Sequence, residues 1–185
     1  MLHGCPADRE SAYSPETRTY DKHWLPWAKK QLDEAGIPTI NPLMPEPWIP
    51  NYERFKAEFE KLQVDENTTL VGTSCGTAFL VRWLADTKQR VDKLILVAPW
   101  KIPDSTRAES VAFFNFEIDE TIKERVNKIV YFTSDNERDV GKQSLEIYHK
   151  ILGGEIINLP NHGHYLFKNM GTEEFPELIE VITAN

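Results

Sequence analysis

Residues 69–80 read Thr-Leu-Val-Gly-Thr-Ser-Cys-Gly-Thr-Ala-Phe-Leu. A short apolar run is followed by a Gly-x-Ser-x-Gly sequence, and a helical spacing of apolar residues begins directly after it. This order predicts a strand, a sharp turn and a helix. Side chains two residues before and two residues after Ser74 would collide across such a turn, so Gly72 and Gly76 leave the space that it needs.

The predicted turn has the form of a nucleophile elbow, in which a serine hydroxyl stands clear of the sheet. It also directs the Cys75 N–H and the start of the following helix toward the position where an oxyanion would form. The five-residue pattern alone is weak, because a glycine-rich turn with an inert serine has the same sequence. Its position between a predicted strand and a predicted helix favours the functional interpretation.

The composition is typical of a globular protein, and we expect a single domain over residues 1–185. Hydrophobic residues make up 41% of the 185 residues and charged residues 27%, with a net charge of −8 at pH 7. These fractions are ordinary for a packed domain of this length. The negative charge opposes binding to nucleic acid or to an anionic membrane surface. No apolar run is long enough to span a bilayer.

The cysteine and histidine content indicates neither a disulfide framework nor a metal site. Two cysteines, Cys5 and Cys75, are too few for a framework, and no apolar leader precedes the first of them. A cytoplasmic location is therefore expected. His162 and His164 are two residues apart with no further ligand motif nearby, so no metal ion is predicted. No cofactor is predicted either.

Strand and helix patterns alternate along the chain. The predicted strands are a short one before His3 and then 37–40, 68–71, 91–98, 128–132 and 155–159. The predicted helices are 20–35, 51–62, 75–86, 117–126, 140–152 and 173–184. This alternation predicts an α/β fold, a parallel sheet with helices on both faces. Because so little precedes His3, we expect the first strand to continue upstream by about four to six apolar residues.

Chemically reactive side chains follow three of the predicted strands. Ser74 follows the third strand, Asp135 and Glu137 follow the fifth, and His164 follows the sixth. Ligands of parallel sheets bind at the carboxyl ends of the strands. The order serine, acid, histidine is that of an α/β-hydrolase. This convergence does not depend on any one short motif.

With these motifs the chain resembles the small α/β-hydrolases related to retinoblastoma-binding protein nine and to YdeN-type predicted esterases. The resemblance extends over nearly the whole chain and rests on residues 3–6 (His-Gly-Cys-Pro), 42–48 (Pro-Leu-Met-Pro-Glu-Pro-Trp), 72–76, 134–137 (Ser-Asp-Asn-Glu) and 163–164 (Gly-His). It implies a three-layer serine hydrolase with about six parallel strands and little or no lid. The predicted substrate is a small-molecule ester, thioester or amide.

Four residues depart from the pattern of this family. Thr73 stands where histidine is usual, Thr77 and Ala78 stand where glycines are usual, and Glu137 takes the place of an aspartate. These changes leave a second interpretation open, in which the chain is a hydrolase-derived binding or scaffold protein with a weakened triad. A thiol enzyme that uses Cys75 is disfavoured, because this cysteine falls at the oxyanion position and not at the nucleophile position.

The predicted roles follow from acyl-transfer chemistry. Ser74 Oγ attacks a carbonyl, and His164 takes its proton and later returns it to the leaving group. The carboxylate that orients His164 is predicted to be Glu137, within about 3.2 Å of Nδ1. Asp135 is the alternative acid, and Asp139 is predicted to cap the following helix.

The backbone N–H groups of Cys5 and Cys75 are predicted to form the oxyanion hole. Because an oxyanion has to enter between their backbones, the two cysteines are expected to be free thiols. Trp48 and Trp100 stand in loops near strand ends. Both are predicted either to line the pocket or to pack as amphipathic residues.

Overall fold

The protein is built on a parallel sheet. The computed structural model describes residues 1–14 and 23–184. Its strands are β1 Thr69–Thr73, β2 Val91–Val97, β3 Val126–Ser134 and β4 Glu155–Leu159. They pair in this order, and each pairing is parallel. The carboxyl ends of the strands therefore meet at one edge of the sheet, and the predicted α/β class is confirmed.

Helices connect the strands and cover the sheet. They are α1 Arg9–Tyr13, α2 Leu25–Glu34, α3 Tyr52–Phe59, α4 Cys75–Thr87, α5 Ala108–Phe114, a 3-10 helix Glu120–Glu124, α6 Asp139–Leu152, α7 Phe167–Met170 and α8 Pro176–Thr183. The helix predicted over 20–35 corresponds to α2, and residues 20–22 of that prediction lie outside the described part of the chain. Within that part, no helix is both long and apolar enough to cross a lipid bilayer.

The two faces of the sheet bury separate hydrophobic cores. Successive residues of a strand point to opposite faces, so Leu94 and Leu96 enter one core whereas Ile95 and Val97 enter the other. The first core is covered by α3, α4, α5 and α6, and the second by α2 and α8. The molecule therefore has three layers, and burial on both faces explains why β2 is a continuous apolar run.

The sheet is narrower than the six strands that the sequence predicts, and the N-terminal segment shows one reason. Leu2 makes a single parallel bridge with Gly72, in which the Leu2 N–H donates to the Val71 oxygen at 2.7 Å. One isolated bridge lacks the successive hydrogen bonds of a ladder, so this segment is attached to β1 without forming a strand. The expected upstream extension of the first strand stays a prediction.

The strand predicted over 37–40 is also absent, and this segment is extended loop in the structure. Pro38 has no N–H to donate to a ladder, which disfavours a paired strand at this position. The Ile40 oxygen accepts instead from the amino group of Met1 at 2.7 Å. The prediction of this strand was therefore wrong. It rested on the apolar residues of the segment and gave too little weight to Pro38.

The helices that the sequence does not predict are short. They are α1, α5 and α7, with five, seven and four residues, too few to show a clear apolar period. The helix predicted over 117–126 is a 3-10 helix. Between β2 and β3 the chain inserts only α5 and this 3-10 helix, in agreement with the prediction of little or no lid.

Candidate active site

Ser74 occupies a strained turn between β1 and α4. Its φ is 53° and its ψ is −122°, a conformation that residues other than glycine rarely adopt. A Cβ on Gly72 would lie 2.9 Å from the backbone carbon of Gly76. A Cβ on Gly76 would lie 2.7 Å from the backbone oxygen of His3. The turn therefore needs both glycines. Gly72 avoids the clash across the turn that the sequence predicts, whereas Gly76 leaves space for the N-terminal segment at Leu2 and His3.

Ser74, His164 and Glu137 form a hydrogen-bonded row. Ser74 Oγ lies 2.9 Å from His164 Nε2, and His164 Nδ1 lies 2.7 Å from Glu137 Oε2. These distances fit an imidazole that donates from Nδ1 to the carboxylate and accepts the serine hydroxyl proton at Nε2. The side chains of His164 and Glu137 are 9% and 1% exposed, so little water competes for the contact. The predicted hydrogen bond between them is present.

Asp135, the alternative acid, contacts the backbone of the loop that carries His164. Its Oδ1 accepts the Asn161 N–H at 2.8 Å, and this hydrogen bond lowers the pKa of the Asp135 carboxyl. Asn136 Oδ1 accepts the Gly163 N–H in the same way at 2.7 Å. The loop after β3 thus uses two side chains to fix the histidine loop and a third, from the next residue, to orient the imidazole.

Gly141 provides the space for the Glu137 side chain. A Cβ on Gly141, in the first turn of α6, would lie 2.8 Å from both Cγ and Cδ of Glu137, well inside van der Waals contact. Glu137 Oε1 accepts the Arg138 N–H at 2.7 Å, which fixes the second carboxylate oxygen. The longer side chain of glutamate is therefore accommodated by a helical glycine. The sequence signal is a glycine four residues after the acid, and sequence reasoning missed it.

The predicted helix cap lies one residue away from its expected position. Asp139 is the first residue of α6, and Arg138 is the N-cap residue. The Arg138 side chain makes no capping hydrogen bond. An acidic residue in the first turn still favours the helix through its dipole.

Cys5 and Cys75 form a disulfide, so the prediction of two free thiols was wrong. Their Cα atoms are 5.6 Å apart, an ordinary separation for bridged cysteines. The prediction assumed that a bridge would close the space between the two N–H groups. A side chain and an N–H leave the backbone in different directions, so joined sulfur atoms do not require the N–H groups to meet. Both cysteines line the same cavity as Ser74.

The loop that carries Cys5 is held by His3. The His3 ring is buried, with Nδ1 2.7 Å from the Gly4 oxygen and Nε2 accepting the Met44 N–H at 2.9 Å. Burial lowers the pKa of His3 to about 4, so the ring is neutral. Because the C=O and N–H of a trans peptide point in opposite directions, this contact turns the Cys5 N–H away from the ring. A Cβ on Gly4 would lie 3.0 Å from Ser74 Cβ, so the loop passes beside the serine.

Ser74 and His164 face a largely apolar cavity of about 650 Å³. Trp100 is part of its wall, and the edge-to-face contact of its ring with His164 has a centroid distance of 5.4 Å. Thr77 connects this wall to the turn, since its Oγ1 donates to the Ser74 oxygen at 2.6 Å and accepts the Trp100 N–H at 3.1 Å. The departure from the family glycine at Thr77 thus adds two hydrogen bonds, a role that the sequence did not reveal.

Trp48 is placed differently from Trp100. Its ring packs edge-to-face against Tyr13 with the centroids 5.6 Å apart, and its backbone oxygen accepts from Arg107. The packing interpretation therefore describes Trp48, whereas the pocket interpretation describes Trp100.

The described residues, 1–14 and 23–184, contain no group of three or more histidine, cysteine and acidic side chains that could hold a metal ion. His162 Nδ1 lies 2.7 Å from the Pro160 oxygen, and its ring contacts Tyr165. It is therefore a packed loop residue rather than a ligand beside His164.

The fold and the serine, histidine and glutamate at the strand ends place the protein among the α/β-hydrolases. A family model described as serine hydrolase matches residues 17–184. The chain belongs to this serine hydrolase family. The resemblance that the sequence motifs indicate is thereby confirmed at the level of the family.

Solved structures share the fold at low sequence identity. The ydeN gene product from B. subtilis matches with a TM-score of 0.83 and 23% identity, over 99% of this chain and 95% of that chain. A YdeN-like hydrolase from Pectobacterium atrosepticum matches with a TM-score of 0.63 and 14% identity, over 98% and 86%. A methylesterase from Arabidopsis matches with a TM-score of 0.60 and 12% identity, over 85% and 93%. No curated protein matches the sequence.

Gly141→Ala is expected to displace Glu137, with an effect that depends on residue 137. In the wild-type background the new Cβ meets Glu137 Cγ and Cδ, so the free energy of unfolding should fall by about 1–3 kcal/mol. In the Glu137→Ala background these atoms are gone, and the same change should raise it by up to about 1 kcal/mol through helix propensity. Urea unfolding of the four proteins measures this cycle.

Gln143→Ala, at an exposed position of the same helix, is the matched control and should have the same small effect in both backgrounds. An equal effect of Gly141→Ala in both backgrounds would show that Gly141 does not act on Glu137.

Removal of the disulfide is expected to loosen the N-terminal segment. The bridge joins residues 70 apart in sequence, and replacing both cysteines by serine should lower the free energy of unfolding by about 2–4 kcal/mol. Dithiothreitol should lower the free energy of unfolding of the wild-type protein by a similar amount. It should leave the free energy of unfolding of the Cys5→Ser/Cys75→Ser variant unchanged. Urea unfolding with and without reductant tests this, and a wild-type protein insensitive to reductant would contradict it.

Proposed function

We propose that the protein hydrolyses a small ester, thioester or amide through a catalytic triad of Ser74, His164 and Glu137. The observation that carries this proposal is the hydrogen-bonded row, with distances of 2.9 Å and 2.7 Å, on a serine whose φ is 53°. In the first step Ser74 Oγ attacks the carbonyl carbon and His164 Nε2 takes its proton. Glu137 keeps the remaining imidazole proton on Nδ1 and stabilises the imidazolium that forms.

The tetrahedral intermediate then collapses to an acyl-serine. His164 gives its proton to the departing alcohol, thiol or amine, and the carbon–leaving-group bond breaks. A water molecule next loses a proton to His164 and attacks the acyl carbon. Return of that proton to Ser74 Oγ releases the carboxylic acid and restores the starting state. No metal ion or cofactor takes part in these proposed steps.

The proposed oxyanion hole consists of the N–H groups of Cys5 and Cys75. Cys75 is the first residue of α4, so its N–H has no acceptor within the helix and the helix dipole favours negative charge there. Cys5 follows Gly4 in the loop that passes beside Ser74. The disulfide connects these two residues, which supports a fixed separation between the two donors. Donors held in place before reaction lower the barrier most effectively.

The alternative of a binding protein with a weakened triad finds less support in the geometry. The departure at Thr77 strengthens the turn through its hydrogen bond to the Ser74 oxygen. The departure at Glu137 is matched by Gly141, and the carboxylate still reaches His164. Neither change separates the groups that acyl transfer needs.

The cavity favours a small substrate with apolar parts. Its volume of about 650 Å³ lies in the range usual for small-molecule sites.

We also propose the cytoplasmic location that is expected from the sequence. Thiol reductants of that compartment would then act on the disulfide.

Ser74→Ala is expected to abolish turnover of p-nitrophenyl acetate and labelling by a fluorophosphonate probe. The hydroxyl is the proposed nucleophile, and its removal leaves the packing of the turn intact, so the melting temperature should change little. The control is Ser105→Ala, which changes an exposed serine in the loop before α5. This variant should be labelled by the probe and should hydrolyse the ester as the wild type does. Labelling that persists in Ser74→Ala would refute the nucleophile assignment.

Glu137→Gln is expected to lower kcat by roughly 10²- to 10⁴-fold, because a neutral amide no longer stabilises the imidazolium. The matched change Asp135→Asn keeps an oxygen that accepts the Asn161 N–H and should cost far less. Steady-state kinetics on the same ester compare the two variants. The reverse ranking would assign the acid to Asp135.

A further inference from the structure

Arg138 stands at the mouth of the cavity, and within the described residues its guanidinium group donates no hydrogen bond. Its side chain is 60% exposed and lines the same cavity as Ser74. Glu137 Oε1 is 3.6 Å from Arg138 Nε, beyond hydrogen-bond range, and already accepts the Arg138 backbone N–H. Among the residues that the structure describes, the Arg138 side chain has no hydrogen-bond acceptor. Its donors are therefore available to a ligand.

Two other charged groups at this cavity, Arg107 and Asp104, already have partners. Arg107 donates to the Glu109 carboxylate and to the backbone oxygen of Trp48. Asp104 Oδ1 accepts from both the N–H and the hydroxyl of Thr106. An incoming anion would have to break existing hydrogen bonds at Arg107 but no hydrogen bond at Arg138.

Trp100 holds the guanidinium on the same wall as the reacting groups. The guanidinium carbon of Arg138 lies 4.5 Å from the centroid of the Trp100 ring, and that ring contacts His164 at 5.4 Å. The Trp100 ring thus lies between His164 and a group that is bound by Arg138. Lys168 also lines the cavity. This local positive charge contrasts with the net charge of −8 and favours an anionic group over a cationic one.

We propose that Arg138 selects acyl substrates that carry a carboxylate. This inference rests on the proposed function and names its substrate class, an ester, thioester or amide with an apolar body and one carboxylate at the cavity mouth. Guanidinium and carboxylate pair through two parallel N–H···O hydrogen bonds. Stacking on Trp100 orients the guanidinium before binding, so less conformational freedom is lost when the pair forms.

The kinetic test compares two esters of equal size, para-carboxyphenyl butyrate and para-carbamoylphenyl butyrate. We expect the ratio of their kcat/KM values to fall about three- to tenfold in Arg138→Gln, chiefly through a higher KM for the charged ester. Arg138→Lys keeps the charge without the planar fork and should retain part of the ratio. The wild-type ratio should also fall as salt is added.

Arg90→Gln is the matched control. Arg90 is exposed and immediately precedes β2, at the opposite edge of the sheet from the site, and the change removes the same charge. Its ratio should equal that of the wild type. Equal losses for both esters in Arg138→Gln would overturn the proposal, because they would mean that Arg138 acts only on Glu137. An unchanged ratio would overturn it as well.

Binding without turnover separates this proposal from the proposed function. Calorimetry would compare the binding of para-butoxybenzoate with that of para-butoxybenzamide. Both ligands would be measured on the Ser74→Ala variant and on the Ser74→Ala/Arg138→Gln double variant. The Kd of the benzoate should rise about three- to tenfold, and the Kd of the benzamide should change less. If the wild type hydrolyses neither ester, the proposed function fails while this result still decides the role of Arg138. A benzoate affinity independent of Arg138 overturns the proposal.

Discussion

The close approach of β1, α4 and the N-terminal segment around Ser74 is the constraint on which the rest of the site depends. Backbone atoms of three segments meet where any side chain on Gly72 or Gly76 would collide. The positive-φ conformation of Ser74 costs on the order of 1–3 kcal/mol and persists only where surrounding contacts enforce it. These contacts come from the pairing of β1 with β2 and from α4, in which residues 75–81 are all buried. Ser74 is thus held in place by the packing of the core.

The loop after β3 divides two tasks among three side chains. Asp135 and Asn136 bind backbone N–H groups and so fix the path of the histidine loop. Glu137 is then left to contact the imidazole, buried and with its other oxygen held by the Arg138 N–H. This division explains why three polar residues in succession follow one strand, and why the longest of them is the one that reaches His164.

Local steric patterns made much of the fold and site predictable. The Gly-x-Ser-x-Gly sequence between a strand pattern and a helix pattern favours one local structure, as does the apolar run of β2 between its flanking loops. The turn, the strand β2 and the chain order of Ser74, Glu137 and His164 could therefore be predicted from the residues. Pairing between distant segments is less visible. The bridge between Cys5 and Cys75 depends on the direction of two side chains, and the missing strand over 37–40 depends on one N–H that Pro38 lacks. The space at Gly141 is equally invisible until α6 is packed against Glu137.

The disulfide also bears on the order in which the site can be assembled during synthesis. Its two cysteines are 70 residues apart, and His164 follows the second of them by a further 164 − 75 = 89 residues. Contacts between such distant residues close large loops, which slows folding. A nascent chain contains both cysteines and Ser74 long before His164 leaves the ribosome. Synthesis that stops between these points would yield a fragment that contains Ser74 but lacks His164, its proposed base.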